Sequence, residues 1–274
     1  MILNKIKKIG KIIKYRKPLL SYLNDMCDEE ILYKVLDKYH VDRLPQIELT
    51  DLLKLYSFKD DTGIRIKSDF SDGISPVNDY YFLCLIAKAI NASKYFETGT
   101  WVGLSAYNIA NNLSRNAEIY SLDIPPDHPE ITMYNIPEEI FSCYSKGLKN
   151  VHFLKSDSMN FDYTPYKKQF DLVFIDGNHT FRYVKNDTKI ALELIKDENS
   201  VIVWHDYILG GEMNKEVLAG MLDALPENSH KHIYSLYQSN LAVYSKKYNF
   251  EKKFFDKWNI PKTKFIVTTK SSDV

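Results

Sequence analysis

Residues 96–105 read FETGTWVGLS. Two glycines, Gly99 and Gly103, stand four apart behind Glu97, and a helix-like pattern follows. A turn explains one glycine. Two at this spacing suit a backbone against which a ligand can press, because glycine has no Cβ and takes angles that other residues avoid. KYFE, just before, reads as a strand, and GLSAYNIANNL, overlapping its end, reads as a helix. Strand, glycine turn and helix in that order form a junction where open α/β sheets bind nucleotides.

The same grammar continues on both sides. Upstream, Asn78 is placed to cap a helix through YYFLCLIAKAI. Downstream, AEIYSL reads as a strand, PEEIFSCYSKGL as a helix and VHFLKS as a strand. FDLVFI is a short apolar strand, followed by a helix over RYVKNDTKIALELI, with Val184, Ala191, Leu194 and Ile195 on one side. VIVW is a strand, KEVLAGMLDAL a helix, and HIYSLYQ with LAVYSK a hairpin. This alternation predicts an α/β, doubly wound, Rossmann-like sheet of seven strands, mostly parallel, with an antiparallel last strand.

The expected organisation is a helical N-terminal appendage over residues 1–73, a cofactor-binding domain over 74–250 and a C-terminal extension over 251–274. Residues 29–58 read as short helices, and 59–77 as a polar, turn-rich stretch. Residues 1–20 carry seven lysines and arginines and no acid, with Ile2, Ile6, Ile9 and Ile13 at helical spacing. Two readings stand: a helix resting on an anionic membrane surface, or one docked on the protein's own body or on a second subunit of a homo-oligomer.

Composition bounds the function. Apolar residues make up 45% and charged residues 26%, as in ordinary globular proteins. A formal net charge of zero gives no broad capture of nucleic acid, so no nucleic-acid partner is expected. Three scattered cysteines, Cys27, Cys84 and Cys143, fit a reduced, cytoplasmic setting better than a disulfide framework. No apolar run is long enough to span a bilayer, and lysines interrupt the runs a secretory signal would need.

Ligands on such sheets bind beyond the carboxyl ends of the strands. Each of those ends carries a polar group. Glu97 and the glycine turn, with Thr100 and Ser105, follow the first strand. Asp123 ends the second, where a carboxylate can accept from two ribose hydroxyls. Ser156-Asp157-Ser158 follow the third, IDGNH with Asp176 and His179 the fourth, and HDY with His205 and Asp206 the fifth. Singly these are ordinary caps and turn residues. As an ordered set they describe a site for a nucleoside cofactor.

FETGTWVGLS, SLD, KSDS, FDLVFIDGNH and VIVWHDY together resemble the motifs of class I S-adenosylmethionine-dependent methyltransferases. The likeness covers roughly residues 74–246 and is greatest to the small-molecule O-methyltransferases, which include the catechol, caffeoyl-CoA and macrolide-sugar enzymes. The resemblance implies S-adenosylmethionine as cofactor and a small hydroxylated acceptor, a sugar hydroxyl first among the candidates. It implies that Glu97, Gly99 and Gly103, with Thr100 and Ser105, shape the methionine end of the cofactor site. Asp123 would hold the ribose, Asp157 or Ser158 would face the adenine, and Asp176 would border the cofactor. In metal-dependent members Asp176 and Asp206 would hold Mg²⁺, and His179 occupies the place of the general base. The chain departs from the pattern at Tyr207, where catechol-type enzymes have an asparagine ligand, and at His205, where macrolide-sugar enzymes have an acid. Magnesium prefers oxygen donors, so a third protein ligand is missing or replaced by water.

Three other functions share parts of this pattern. A nicotinamide oxidoreductase would share the sheet, the turn and Asp123, although the third glycine of its fingerprint is absent. A non-catalytic methyltransferase-like module would use the basic N-terminus as its working part. A family of sugar-antibiotic hydroxylases shares the IDG and HD motifs. Tyr80, Tyr81, Trp101 and Tyr134 are candidate walls of an acceptor pocket.

Overall fold

The computed structural model describes residues 29–57, 63–68, 76–132 and 137–255. The basic N-terminal stretch, Cys27 and Tyr134 lie outside them.

Residues 29–39 form helix α1. β1 (Gln46–Ile47), α2 (Leu49–Leu55) and α3 (Val77–Ala89) follow. The alternating part runs β2 (Lys94–Thr98), α4 (Leu104–Asn112), β3 (Glu118–Asp123), a short α5 (Pro129–Thr132), β4 (Val151–Lys155) and β5 (Leu172–Ile175). It continues through α6 (Phe181–Leu194), β6 (Val201–Trp204), β7 (Ile208–Leu209), β8 (Glu212–Met213), α7 (Lys215–Ala224), β9 (Ile233–Leu236) and β10 (Ala242–Tyr244).

The main sheet has the order β1-β9-β10-β6-β5-β2-β3-β4. All seven expected strands are there, and β10 is antiparallel to both β6 and β9. An eighth comes from the stretch expected to be helical: β1 pairs parallel with β9 at the edge, Gln46 opposite Ser235 and Ile47 opposite Leu236. Gln46 N also donates to the Lys253 carbonyl at 2.7 Å, so this strand sits between β9 and the chain's C-terminal part. Two residues of strand are too few to show a period of two in sequence.

Two further departures concern helices. The helix expected over 137–148 is instead a 3₁₀ turn, Glu138–Ile140, followed by irregular turns. Gly147 at φ +91° and Ser142 at φ +57° break any helical run there. The helix expected to be capped by Asn78 starts two residues earlier, at Val77, with Pro76 as its N-cap. The short hairpin β7–β8 was not visible in the sequence pattern.

The sheet is covered on both faces, which explains the continuous apolar runs of its central strands: β5 and β6 are buried at every position. Alternation sorts their side chains. Tyr95, Leu172, Phe174, Val201 and Val203 pack beneath α3 and α4. Phe96, Val173, Ile175, Ile202 and Trp204 pack beneath α6 and α7. Each such buried side chain contributes about 1.5–3 kcal/mol. Trp204 satisfies its one donor inside this second core, Nε1 to Thr188 Oγ1 at 2.8 Å.

Chain order reverses between β2 and β5: from β2 the chain moves outward through β3 and β4, then returns to build β5 and β6 on the other side. The crevice above that reversal is the ligand position of doubly wound sheets. The turns after β2, β3, β5 and β6 all open into it.

Candidate active site

The glycine turn is held from below. Glu97, at the end of β2, is wholly buried. Its Oε2 accepts from Tyr95 Oη at 2.7 Å and its Oε1 from Ser121 Oγ at 2.6 Å. Ser121 in turn is 2.5 Å from Thr100 Oγ1. Burial pushes the Glu97 carboxyl up to about 7, against the hydrogen bonds of Ser121, Tyr95 and Ser105. Glu97 therefore braces the turn rather than lining a cavity. Ser105 and Thr100 do reach a cavity wall.

Gly99 lines both cavities of the site, and each glycine also has a packing reason that the sequence does not show. Gly99 has φ +89°, and a Cβ on it would fall on the backbone carbonyl oxygen of Asp176. Its constraint is the close crossing of the β2 and β5 turns. Gly103 has φ +82°, caps α4, and a Cβ there would fall on the Ser145 hydroxyl.

Asp123 closes β3 and ties the turn to it. Its Oδ2 accepts from Thr100 N at 3.1 Å and Trp101 N at 2.8 Å, and its Oδ1 from Ile124 N at 2.8 Å. Burial raises its pKa in spite of these three bonds. A carboxylate has about four acceptor positions, so a further donor can still be received.

Two cavities meet at Gly99, Trp101 and Asp176. One, of about 290 Å³, runs over Asp123, Ser156, Asp157, Ser158, Tyr183 and Asp187. Asp157 is tied into its own loop by Met159 N at 2.9 Å and Asn160 Nδ2 at 3.0 Å. The Ser158 carbonyl receives Tyr163 Oη at 3.1 Å. The other cavity, of about 420 Å³, is walled by Tyr80, Trp101, Ser105, Asp176, His179, His205, Asp206 and Asn240. Tyr80 and Trp101 are thus the expected aromatic walls, whereas Tyr81 packs against the core.

At the floor of the larger cavity the last two strand ends converge. His179 Nε2 lies 2.8 Å from Asp206 Oδ2. His205 Nδ1 lies 3.1 Å from Asp176 Oδ1 and 3.0 Å from Asp206 Oδ1, in ion-pair range but out of line for a hydrogen bond. His205 Nε2 meets Asp79 Oδ2 at 3.1 Å, and Asp79 Oδ1 accepts from Asn240 N at 3.0 Å. Burial opposes charge on His205, yet the surrounding carboxylates, Asp176 first, raise its pKa well above the usual imidazole value. Burial likewise opposes charge on His179, and the bond to Asp206 raises it. Asp206 is pulled well below the carboxylate range, against burial, by the two histidines. It sits at φ +52°, a left-handed angle uncommon outside glycine.

Asp176, His179 and Asp206 each offer an atom, all within 4.8 Å of one another, as metal ligands do. For Mg²⁺ the fit is poor. Only two of the groups at this point are carboxylates, the others are imidazoles, and magnesium selects oxygen.

Sequence reasoning thus named most of this wall but gave His205 no role and missed Asp79, Asn240, Tyr183 and Asp187. Asp79 lies in a helix whose buried positions read as plain core. Its signal was a single acid among apolar neighbours.

Fold and site together define a doubly wound α/β protein with a nucleoside-sized cleft at the strand reversal. Residues 96–207 match the family model described as a methyltransferase domain. Over 124 residues the chain is 29% identical to Tapetum-specific methyltransferase 1 of Arabidopsis thaliana, covering 44% of this chain. The match takes in 50% of that relative, so the chain spans about half the length of the curated relative it matches. Similar solved structures include the O-methyltransferase of Bacillus cereus in complex with SAH, with 16% identity, TM-score 0.45, and coverage of 72% of this chain and 90% of that one. Another is the SAH-bound methyltransferase of Podospora anserina, with 17% identity, TM-score 0.45, and coverage of 71% and 86%. The chain is thus similar to methyltransferases, and its match to the methyltransferase-domain model runs from the glycine turn to the end of the HDY motif.

Proposed function

We propose that this chain transfers the methyl group of S-adenosylmethionine to a hydroxyl of a small acceptor, a sugar hydroxyl in particular. The observation that carries the cofactor is charge. Among the described residues, the two joined cavities are walled by Asp123, Asp157, Asp176, Asp187 and Asp206 and by no lysine or arginine. A sulfonium and an ammonium group are cations and suit that wall. The diphosphate of a nicotinamide dinucleotide is an anion, and the acidic side chains of that wall repel it. The sugar reading is supported by the lining of the larger cavity, where Tyr80 and Trp101 offer aromatic faces beside the polar groups of Asp206, His179 and Asn240.

Methyl transfer is an in-line displacement. The acceptor oxygen attacks the methyl carbon, the carbon–sulfur bond breaks, and its electron pair stays on sulfur, giving neutral S-adenosylhomocysteine. The acceptor proton must leave. We assign that proton to His179, whose Nε2 is engaged by Asp206 at 2.8 Å. Nδ1 is then the basic atom, and Asp206 stabilises the imidazolium that forms, an orienting role carboxylates play for catalytic histidines. Mg²⁺, implied by the family likeness, enters no step here because the donor set does not suit it.

The test is turnover with methyl-labelled cofactor across a panel of sugars, glycosides and catechols. Label transfer to a sugar hydroxyl is the expected result. Transfer to catechols alone would overturn the sugar assignment, and no transfer to any acceptor with cofactor bound would favour a binding module. Removing the base, in His179→Ala, should cut turnover by about a hundredfold or more while S-adenosylhomocysteine affinity stays unchanged.

A further inference from the structure

The smaller cavity, of about 290 Å³, is bordered by two polar side chains that end in unbonded atoms. Asp187 Oδ2 and Thr98 Oγ1 are both buried, and neither has a hydrogen-bond partner among the described residues. Asp187 itself is 2% exposed. A carboxylate oxygen taken out of water and left without a donor is costly, and native proteins keep few of them.

The carboxyl is held in place. Tyr183 and Asp187 stand one turn apart on α6, so they share the face that meets the cavity. The other Asp187 oxygen, Oδ1, accepts from Asn186 Nδ2 at 3.0 Å, and the same amide reaches the Ser158 carbonyl at 3.4 Å. These bonds tie the helix to the loop after β4. The hydroxyls of Ser158 and Thr98 lie near enough to lower the Asp187 pKa, but neither completes a bond to Oδ2. Burial outweighs them and pushes the carboxyl up to about 6. At neutral pH Asp187 is therefore a carboxylate, which can only accept. Two other acids of this cavity are already engaged at both oxygens: Asp123 by three backbone N–H groups, and Asp157 by Met159 N and Asn160 Nδ2. Asp187 Oδ2 is the acceptor that still lacks a donor.

With the ribose at Asp123 and the methionine end at Gly99 and Ser105, the base of a nucleoside enters this smaller cavity. Adenine brings a donor, its 6-amino group. A 6-oxo purine brings an acceptor at the same place, and a carboxylate repels it. We propose that Asp187 reads the 6-amino group of the cofactor's adenine through Oδ2, with the Thr98 hydroxyl beside it, and so makes the cleft select adenine over 6-oxo purines. Recognition of the base thus falls to a helix residue, and Asp157 shapes the neighbouring loop. The inference rests on S-adenosylmethionine as the cofactor and adds the side chain that distinguishes its base.

The experiment is titration calorimetry of the full-length chain with S-adenosylhomocysteine and with S-inosylhomocysteine, in which oxygen replaces the amino group. At pH 7.5 the adenine ligand is expected to bind at least about tenfold tighter. Asp187→Asn carries an amide that can donate to the oxo group, so the preference should fall to about threefold or less. Asp157→Asn should loosen its loop and weaken both ligands alike, leaving their ratio in place. The wild-type protein gives an independent reading. Below pH 6 Asp187 takes up a proton and can donate to the oxo group, so the preference should narrow as the pH is lowered from 7.5 to 5. Asp157 and Tyr163 are the titratable groups that face Asp187. Tyr163 is raised by burial and stays protonated over this range, and Asp157→Asn should show the same pH profile as the wild type. If Asp187→Asn does not fold, the wild-type profile decides alone. A wild-type preference that is absent, or that does not change with pH, would overturn the assignment. So would a full preference in Asp187→Asn, or its loss in Asp157→Asn. In each of those outcomes S-adenosylhomocysteine still binds, and the proposed function stands. A chain that binds neither ligand would instead count against the proposed function, and this inference would fall with it.

Discussion

The brace beneath the glycine turn makes a quantitative prediction. Glu97 is wholly buried, and its pKa is raised from 4.5 to about 7, chiefly by burial. In the unfolded chain it titrates near the ordinary value. Between those two pKa values the folded protein holds a proton that the unfolded chain has lost. Stability therefore falls as pH rises from 4.5 through 7. A difference of roughly two and a half units corresponds to about 3 kcal/mol, fully lost above pH 8. Glu97→Gln is uncharged at all pH values and, like the protonated acid, presents an acceptor oxygen and a donor group, with two N–H in place of one O–H. Other groups titrate in the same range, so the difference between the two proteins is the quantity to read. Urea unfolding at pH 5 should give the two proteins stabilities within about 1 kcal/mol of each other. At pH 8.5 the glutamine variant should be the more stable by about 3 kcal/mol. A difference that does not change with pH would refute the buried, proton-holding Glu97. A variant less stable at pH 8.5 would show that the carboxylate is held charged by its three hydroxyl donors.

Other perturbations test other joints. Gly99→Ala should lower stability by about 3 kcal/mol or more, because φ is positive and the new methyl meets the Asp176 carbonyl; Gly177→Ala, with nothing nearer than 3.8 Å, should stay within about 1 kcal/mol in the same melts. Asp123→Ala should weaken S-adenosylmethionine binding at least about tenfold, or 1.4 kcal/mol, by calorimetry; unchanged affinity with an intact fold would leave Asp123 a turn tether only. Tyr207→Phe should cost about 1–3 kcal/mol in denaturant, because the buried Leu44 N–H, which donates to Tyr207 Oη at 2.8 Å, loses its partner.

Most of the sheet was legible because its strands are short, apolar and separated by helices with a clear buried side. β1 was not, since two residues give no period and its partner β9 lies nearly two hundred residues on. The 137–148 stretch misled because its apolar spacing is helical while Ser142 and Gly147 hold left-handed angles. In the site, strand-end position picked out Asp123, Asp157, Asp176, His179 and Asp206, which the structure brings to the two cavities. The role of Gly99 was not legible, because the carbonyl it must avoid is contributed by a strand more than seventy residues away. Asp79 was hidden for the same reason: its meaning lies in the contact with His205, across 126 residues of sequence.

The central claim is that the carboxylate-lined cleft takes a cationic nucleoside cofactor. Titration calorimetry of the full-length chain with S-adenosylmethionine, S-adenosylhomocysteine, NAD⁺ and NADP⁺ tests it most directly. The account predicts micromolar binding of the first two and none of the dinucleotides. Binding of either dinucleotide with no response to S-adenosylmethionine would contradict it.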